Sequence, residues 1–504
     1  MNISTILDMA AEAFGDRVAV VSGEQRLSYA QLREHALSAA AYLRASGAGY
    51  LALLDVASPA TPVAIFAAAY AGVPYVPLNY RLTAPELNAL VARVAPAVLV
   101  TNAEYRQLLT PHDGMQLIDR DAFMALPIAG DEVAQPDEDP RAVAVQLFTS
   151  GTTGQPKAAI LRHENLMSYI VGTVEFAAAD EADAIVVTVP PYHIAGISAV
   201  LSSTYACRRM VQLPNFDPRA WLQAMRSENV SNAFLVPTML GRIVEHLDAS
   251  GEAPALPALR ALAYGGGKMP LATIERAMQL FPQVGFTNAY GLTETSSTIA
   301  VLGPDDHRAA AASDDPRVRR RLSSVGRAAA VEIEIRDDEG RVLGAEDAGM
   351  VYVRGPQVSG EYQSLGSQLD ADGWFPTKDR GYLDADGYLF LDGRADDVIV
   401  RGGENISPGE IEDVLLAHPA VADVACVAIP DAQWGEAVAA AVVLHADGVA
   451  SVAELQELVR ARLRSSRVPQ AVVFRDALPY NETGKILRRV IRQELATQVA
   501  AAAA

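Results

Sequence analysis

Short apolar runs separated by helix-length segments recur through the first half of the chain, and they leave few folds open to it. Leu51 to Asp55, Tyr75-Val76-Pro77-Leu78, Ala97 to Thr101, Ile185 to Val189, Asn232 to Val236 and Leu259 to Tyr264 read as strands. Helical segments lie between them; Tyr29 to Ser46 has helical spacing and ends at Gly47, a glycine suited to a C-cap. This alternation predicts an α/β fold with layered, mostly parallel sheets. After about Ser324 the pattern changes. Val331 to Ile335 and Met350 to Arg354 alternate apolar and polar residues, and Asp384-Ala385-Asp386-Gly387-Tyr388 reads as a hairpin turn. A small β-barrel or meander is expected there. Arg394-Ala395-Asp396-Asp397 then makes a polar break before a fresh α+β unit. Its expected strands are Val398 to Val400, Ala422 to Ile429 and Ala437 to Leu444, and its expected helices Pro408 to Ala417 and Val452 to Leu463. The expected organisation is a large N-terminal domain, 1–393, with a β-rich subdomain at about 324–393. A hinge at 394–397 and a small mobile C-terminal domain, 398–504, complete it. His307 to Arg321, with Arg317, Arg319, Arg320 and Arg321, reads as a solvated, proline-interrupted loop.

Chemistry is densest at Thr149-Ser150-Gly151-Thr152-Thr153-Gly154-Gln155-Pro156-Lys157, directly after the apolar run Val143 to Phe148. Glycines let backbone N–H groups converge on an anion, and four hydroxyls and a lysine add donors and charge. Such a segment cradles polyphosphate. The Walker A spacing is not met here, nor at Gly267-Lys268 or Gly484-Lys485, so any nucleotide is held in another way.

Further motifs follow in order: Pro191-Tyr192-His193-Ile194-Ala195-Gly196, Tyr264-Gly265-Gly266-Gly267, and Asn288-Ala289-Tyr290-Gly291-Leu292-Thr293-Glu294. Thr377-Lys378-Asp379, Gly393-Arg394-Ala395-Asp396, Gly402-Gly403-Glu404-Asn405-Ile406 and Asn481-Glu482-Thr483-Gly484-Lys485 complete the set. Each alone is an ordinary turn or core segment. Together, and in this order, they resemble the adenylate-forming superfamily over nearly the whole chain. That superfamily includes acyl-CoA synthetases, aryl-CoA ligases, luciferases and peptide-synthetase adenylation domains.

The resemblance implies a role for each residue. Thr149, Ser150, Gly151, Thr152, Thr153, Gly154 and Lys157 are expected to hold the ATP phosphates. Gly265, Gly266, Asn288, Ala289, Tyr290 and Gly291 are expected around the adenine, with Tyr290 stacking on the base. Asp379 suits the vicinal ribose hydroxyls, and Arg394 donates to the same sugar. Glu294 and Thr152 are the expected Mg²⁺ ligands, a hard-oxygen pairing that suits this ion. Thr293 and Lys485 surround the reacting phosphate, and Lys485, a compact point charge, orients the attacking carboxylate. The acyl pocket is expected from His193, Ile194, Gly196, Val236, Thr238, Gly265 and Ala289, with His193 gating it. Arg401, Gly402, Gly403, Glu404 and Trp434 are expected at CoA, and Asp396 as the hinge pivot.

The implied reaction has two steps. A carboxylate attacks the α-phosphate of Mg·ATP and releases pyrophosphate; a thiol then displaces AMP. CoA is the expected thiol, because the insertion typical of fatty acyl-AMP ligases is missing between Asp379 and Arg394 and no carrier domain follows Lys485. An acyl-carrier protein is the alternative acceptor. The acid is expected to be uncharged beyond its carboxylate, leaving medium- or long-chain fatty acids and aryl acids open. Two rivals keep the fold: a silent nucleotide or acyl binder, and an oxidative enzyme of the luciferase type. Retention of Glu294, Asp379, Arg394 and Lys485 argues against the first. Two positions depart from the family pattern: Lys378 where Thr-Gly-Asp has glycine, and Asn288-Ala289 where Gln-Gly is common.

Composition narrows the partners. With 41 basic and 61 acidic residues among 504, the net charge of −20 disfavours nucleic acid and anionic membrane. Cys207 and Cys426 have no metal or disulfide spacing, which fits a reducing cytoplasm. The first 16 residues do not read as a signal peptide, and Ala60 to Ala71 is too short for a membrane span. Monomer and homodimer both stay open.

Overall fold

The computed structural model describes residues 1–504 apart from 129–138, 150–155, 432, 481–485 and 504, and apart from the side chains of 405 and 499–503. The chain divides into two compact units, Met1–Ile333 with Val353–Phe375, and Glu334–Tyr352 with Pro376–Ala504.

The first unit is built on two sheets that share a layer of helices. One sheet has nine strands, in the order Arg327–Ala328, Ser297–Leu302, Gly285–Leu292, Ala261–Gly265, Asn232–Leu235, Ala184–Val187, Arg209–Gln212, Val18–Ser22 and Gln25–Ser28. The other has eight, in the order Gly366–Ser367, Glu361–Tyr362, Lys157–Arg162, Val143–Thr149, Tyr75–Pro77, Tyr50–Leu54, Ala97–Thr101 and Met115–Asp119. The helices Ser4–Phe14, Tyr29–Ser46, Ala60–Ala71 and Ile194–Tyr205 lie in one apolar cluster with residues of both sheets. Successive strand residues point to opposite faces. Ile185 and Val187 therefore enter the shared layer, while Ala184 and Val186 face the outer helices Pro218–Ser227, Pro237–Ser250 and Leu271–Leu280. Leu51 and Leu53 likewise face inward, with Ala52 and Leu54 packed outward near the helix Ala84–Val91.

Local signals set the helix ends. The Tyr29–Ser46 helix opens on Ser28, whose hydroxyl accepts from Gln31 N at 3.3 Å while the Gln31 side chain accepts from Ser28 N at 2.9 Å. It closes on Gly47 at φ 68°. Ala60–Ala71 is apolar all round and correspondingly buried on every face. Among the described residues no helix is long and apolar enough to cross a membrane.

The second unit carries most of a four-stranded meander, Glu332–Arg336, Gly349–Arg354, Phe375–Leu383 and Leu389–Arg394. Its hairpin closes at Gly387, φ 80°. A further sheet runs Glu404–Ile406, Ile399–Arg401, Gly435–Leu444, Val421–Asp431, with Ala471–Arg475 pairing parallel to Gly435–Leu444. Helices Pro408–Leu416 and Val452–Arg462 cover one face and Arg488–Ala503 the other.

One expectation is corrected. The stretch from His307 to Arg321 is not a loop but the helices Pro304–Ala312 and Pro316–Arg319 followed by a 3₁₀ turn, Arg320–Ser323. Pro316, the interruption within that stretch, stands at the first helical turn, as Pro304 does in the helix before it, where the ring presets φ and no N–H is needed. Asp315 caps the second helix by accepting from Arg317 N at 2.9 Å.

His163 makes the first unit pH-sensitive. It is buried, and its Nδ1 accepts from Ile3 N at 3.3 Å, which requires the neutral ring. Burial pulls its pKa from 6.5 down to about 4. The folded pKa lies below the unfolded one, so the unfolded chain binds the extra proton between these values and stability falls as pH drops through that window. The full contribution, about 3 kcal/mol, is present above 6.5 and gone below 4. Denaturation series from pH 7 to pH 4 are expected to show this loss in the wild type and a shallower one in His163→Gln.

Candidate active site

In the nine-stranded sheet the chain turns in opposite directions from two neighbouring parallel strands. Ala184–Val187 leads through helix Ile194–Tyr205 to one side, and Asn232–Leu235 leads through helix Pro237–Ser250 to the other. A crevice at the carboxyl ends of such strands is where α/β sheets bind ligands. His193 ends the first connection at the N-cap position of its helix, and its ring lies 4.5 Å from that of Tyr192. Val236 and Thr238 open the second, with Pro237 at the helix start. Ile194 packs toward the shared helical layer.

Glycine permits the close approach of backbones here. A Cβ at Gly196 would stand 2.8 Å from Pro190 O, and one at Gly265 would stand 2.2 Å from Ala289 O. A Cβ at Gly265 would also come to 3.6 Å from Phe234, and one at Gly266, which holds φ +85°, to 3.6 Å from Val236. Phe234, Val236, Gly265, Gly266 and Ala289 therefore form one small, uncharged surface. Behind it, Tyr264 donates its hydroxyl to His307 Nε2 at 2.8 Å. His307 Nδ1 lies 2.8 Å from the Gly303 carbonyl, which only accepts, so the proton is on Nδ1 and Nε2 is the acceptor. Burial lowers the His307 pKa and keeps this tautomer neutral.

Along the next strand, Asn288 Nδ2 donates to Ser324 O at 3.2 Å, and Tyr290 packs beside Leu292 and Ile299. Gly291 sits at a bulge, where a Cβ would lie 1.7 Å from Ser297 O. Thr293, Glu294 and Thr295 form a 3₁₀ turn. The Glu294 carbonyl accepts from Ser359 N at 2.9 Å and Gly360 N at 3.0 Å, and its Oε1 accepts from the Tyr362 hydroxyl at 2.5 Å. Gln357 Nε2 steadies the same turn through Thr295 O at 3.1 Å and Thr298 O at 2.8 Å.

The phosphate segment is described at its ends. Thr149 pairs with Lys157 across the hairpin, and the Thr149 hydroxyl donates to Lys157 O at 3.4 Å. Arg93 stacks on Phe148 and donates to Pro156 O at 2.7 Å. The Lys157 ammonium stands 5.6 Å from the Tyr362 ring centroid. Ser150, Gly151, Thr152, Thr153 and Gly154 lie outside the described residues, as does Lys485.

The second unit brings together its own expected residues. Asp379 and Arg394 are register partners joined by an ion pair of 3.0 Å, and Arg394 Nη1 also donates to Thr377 O at 3.0 Å. Thr377 anchors this corner through its hydroxyl to Val351 O at 2.8 Å and from Asp379 N at 3.1 Å. Lys378 is exposed and holds φ 64°, the left-handed conformation that a glycine would adopt without strain. Asp396 lies in the 3₁₀ turn Ala395–Asp397. Gly402, at φ +58°, lies flat under Trp434, and its N–H donates to Trp434 O at 2.8 Å; a Cβ there would meet the indole at 2.8 Å. The Arg401 guanidinium stands 5.7 Å from the same ring, Gly403 holds φ +84°, and Glu404 pairs with Arg467. Trp434 is presented by a turn in which Asp431 accepts from Gln433 N and Trp434 N, contacts that hold its carboxyl below the usual range.

Three residues that hydrogen-bond to these segments escape a reading by motif: Tyr362, Gln357 and His307. Only Tyr362 carries a sequence signal, the aromatic after Gly360-Glu361 in a short polar stretch.

The AMP-binding enzyme family model matches residues 7–363, and the AMP-binding enzyme C-terminal domain matches 410–485. The chain belongs to the AMP-binding enzyme family. Among the relatives of this AMP-binding enzyme, an indoleacetate–CoA ligase of Aromatoleum aromaticum is 31% identical over 98% of each chain. A feruloyl-CoA synthase of Amycolatopsis is 33% identical over 94% of this chain and 95% of its own. The structure of o-succinylbenzoate CoA synthetase from Bacillus subtilis, solved with its acyl-adenylate intermediate, covers 97% of both chains at a TM-score of 0.82 and 27% identity. The fold is that of adenylate-forming enzymes, α/β with a smaller C-terminal domain.

Gly265→Ala is expected to push the ends of two neighbouring strands apart and reshape the uncharged surface. Acid-dependent pyrophosphate release should lose about tenfold or more in kcat/KM, while the thermal midpoint moves by only a few degrees.

Proposed function

We propose that this AMP-binding enzyme activates an aromatic carboxylic acid as its adenylate and passes the acyl group to CoA. The general activity, ATP-dependent joining of an acid to a thiol through an acyl-adenylate, is that of the family and of its CoA-ligase members. The observation that carries the aromatic reading is the uncharged lining at the strand ends. Phe234, Val236, Gly265, Gly266 and Ala289 lie together there with no charge among them, only backbone and apolar side chains, and such a lining suits a planar ring. The relatives named above support it, being named for indoleacetate, feruloyl-CoA and o-succinylbenzoate, all of them arenes.

In this reading His193, Ile194, Gly196, Val236, Thr238, Gly265 and Ala289 border the acyl site, with His193 at its mouth. Tyr290 stacks on adenine, with Gly265, Gly266, Asn288, Ala289 and Gly291 shaping the pocket around the base. Asp379 accepts from the ribose hydroxyls, and the ion pair with Arg394 keeps its carboxylate aimed. Thr149, Ser150, Gly151, Thr152, Thr153, Gly154 and Lys157 hold the phosphates. Among the described residues no group of three or more His, Cys, Asp or Glu could hold a metal by itself. Glu294 nevertheless fits Mg²⁺, which is commonly held by one or two carboxylates together with phosphate oxygens. Glu294 and Thr152 are its proposed ligands; when bound, the ion neutralises phosphate charge. Thr293 donates to the phosphates.

The acid's carboxylate oxygen forms a bond to the α-phosphorus as the bond to the pyrophosphate oxygen breaks, and Lys485 orients the two anions. The CoA thiolate then attacks the acyl carbon, and AMP leaves with its phosphate oxygen. Arg401, Gly402, Gly403, Glu404 and Trp434 border the path of the pantetheine arm; the Trp434 indole covers Gly402, and Gly403 is the open position. Asp396 is the pivot about which the residues beyond it turn between the half-reactions.

Pyrophosphate release with Mg·ATP and a panel of aromatic and aliphatic acids, each with and without CoA, tests the reading. Release with arylacetic or cinnamic acids that yields AMP and the acyl-CoA is the expected result. Preference for alkanoic acids overturns the aromatic assignment, and adenylate that never reaches CoA points to a carrier protein. Lys485→Ala should slow adenylate formation by about a hundredfold or more yet convert supplied acyl-adenylate to thioester. Asp396→Pro should show the reverse partition; stopped-flow assays of the two half-reactions separate them.

A further inference from the structure

Two opposite charges, Lys157 and Glu294, flank one phenol, that of Tyr362. Lys157 begins the strand that leaves the segment, and Glu294 lies on the 3₁₀ turn that follows the strand Gly285–Leu292. The Tyr362 hydroxyl donates to Glu294 Oε1 at 2.5 Å, the length of a phenol bound to a carboxylate. The face of the same ring receives the Lys157 ammonium at 5.6 Å. Lys157 and Glu294 make no ion pair with each other among the described residues. A ring face attracts a cation without neutralising it, whereas a carboxylate at that place would pair with it.

The backbone around Tyr362 is held to both of the elements that carry these charges. Ser359 N and Gly360 N donate to Glu294 O, fixing the 3₁₀ turn. On the other side Gln363 N donates to Ala158 O at 2.9 Å, and the Ser359 hydroxyl donates to Ile160 O. Tyr362 is the register partner of Ala159. Next to it, Glu361 is clamped by Arg162 at 2.8 and 2.9 Å in a bidentate pair. A strand of two residues has little ladder of its own, so these ties fix where the ring stands.

We propose that Tyr362 is a positioning residue that keeps Lys157 and Glu294 apart and oriented, so that both charges remain available to a metal-bound triphosphate. The hydrogen bond occupies one carboxylate oxygen of Glu294 and sets the direction of the other, Oε2. The ring face gives Lys157 a resting place other than that carboxylate. This rests on the reading of Glu294 as the Mg²⁺ carboxylate.

Tyr362→Phe removes the hydroxyl and keeps the ring. Its half-saturating Mg²⁺ for acid-dependent pyrophosphate release is expected to rise about tenfold, with Mn²⁺ bound in the presence of ATP, followed by electron paramagnetic resonance, weakening by a similar factor. The loss should fall on adenylate formation more than on thioester formation from supplied acyl-adenylate. Tyr362→Leu removes the ring as well and should also weaken ATP binding measured calorimetrically without metal, because Lys157 then collapses onto Glu294. Glu294→Gln is the control. If it loses Mn²⁺ affinity while Tyr362→Phe matches wild type in both metal readouts, the positioning role is overturned and the Glu294 reading stands. If Glu294→Gln itself binds Mn²⁺ like wild type, the Glu294 reading fails and the proposal with it. Equal loss of both half-reactions in Tyr362→Phe, with a lowered thermal midpoint, makes the tyrosine merely structural and overturns the proposal.

Discussion

The helix Ala60–Ala71 has no face that can be left in water, and the architecture of the first unit follows from that. All but one of its residues are buried, so it needs apolar cover on every side. The helices Ser4–Phe14 and Tyr29–Ser46 supply part of that cover and the strands Tyr50–Leu54 and Tyr75–Pro77 of the eight-stranded sheet another part, while Tyr29–Ser46 packs in turn on Val18–Ser22 and Gln25–Ser28 of the nine-stranded sheet. Each sheet thereby has one face committed to the shared layer. Its other face is still apolar, because the strands carry Val, Leu and Ala at successive positions, and must collect outer helices of its own. Parallel strands with helices on both faces place their carboxyl ends at one edge, and the ligand-binding loops lie there because the core is deep, not because the loops are sticky.

At that edge the chemistry depends on what is missing as much as on what is present. Gly265 and Gly291 sit where any Cβ would overlap a neighbouring carbonyl. The site wall is therefore made largely of backbone, which is more rigid than side chains and offers a flat surface. Tyr264 and His307 brace that wall from behind through a hydrogen bond that only the neutral ring can make. Rigid support of this kind lets a loop site hold its geometry while ligands come and go.

A chain of net charge −20 that binds anionic nucleotides must concentrate its positive charge locally. In the second unit several arginines are held by carboxylates: Arg394 by Asp379, Arg467 by Glu404 and Glu410, and Arg488 by Glu412. Such pairs orient the guanidinium more than they strengthen the field. Lys157 is treated differently, resting on an aromatic face that leaves its charge intact.

Much of this was legible in the residues themselves. The helix at 29–46 was readable to the residue because Ser28, Gln31 and Gly47 act within one turn of its ends. The strand expected at Asn232 to Val236 runs Asn232–Leu235, and the meander past residue 330 follows its alternation. Asp379 and Arg394 were picked out by motif, and the structure adds that they are cross-strand partners. The misreading at 307–321 came from treating Pro316 as a breaker when position made it a helix starter. His307 could not be placed from its neighbours, since its partner Tyr264 is 43 residues away, and Tyr362 reaches Glu294 across 68. The sequence by itself determined the elements, their order and the family chemistry, because caps, periodicity and motifs are short-range signals. Only the tertiary structure decided which distant polar groups meet, because such contacts arise after packing has chosen which strand ends lie side by side.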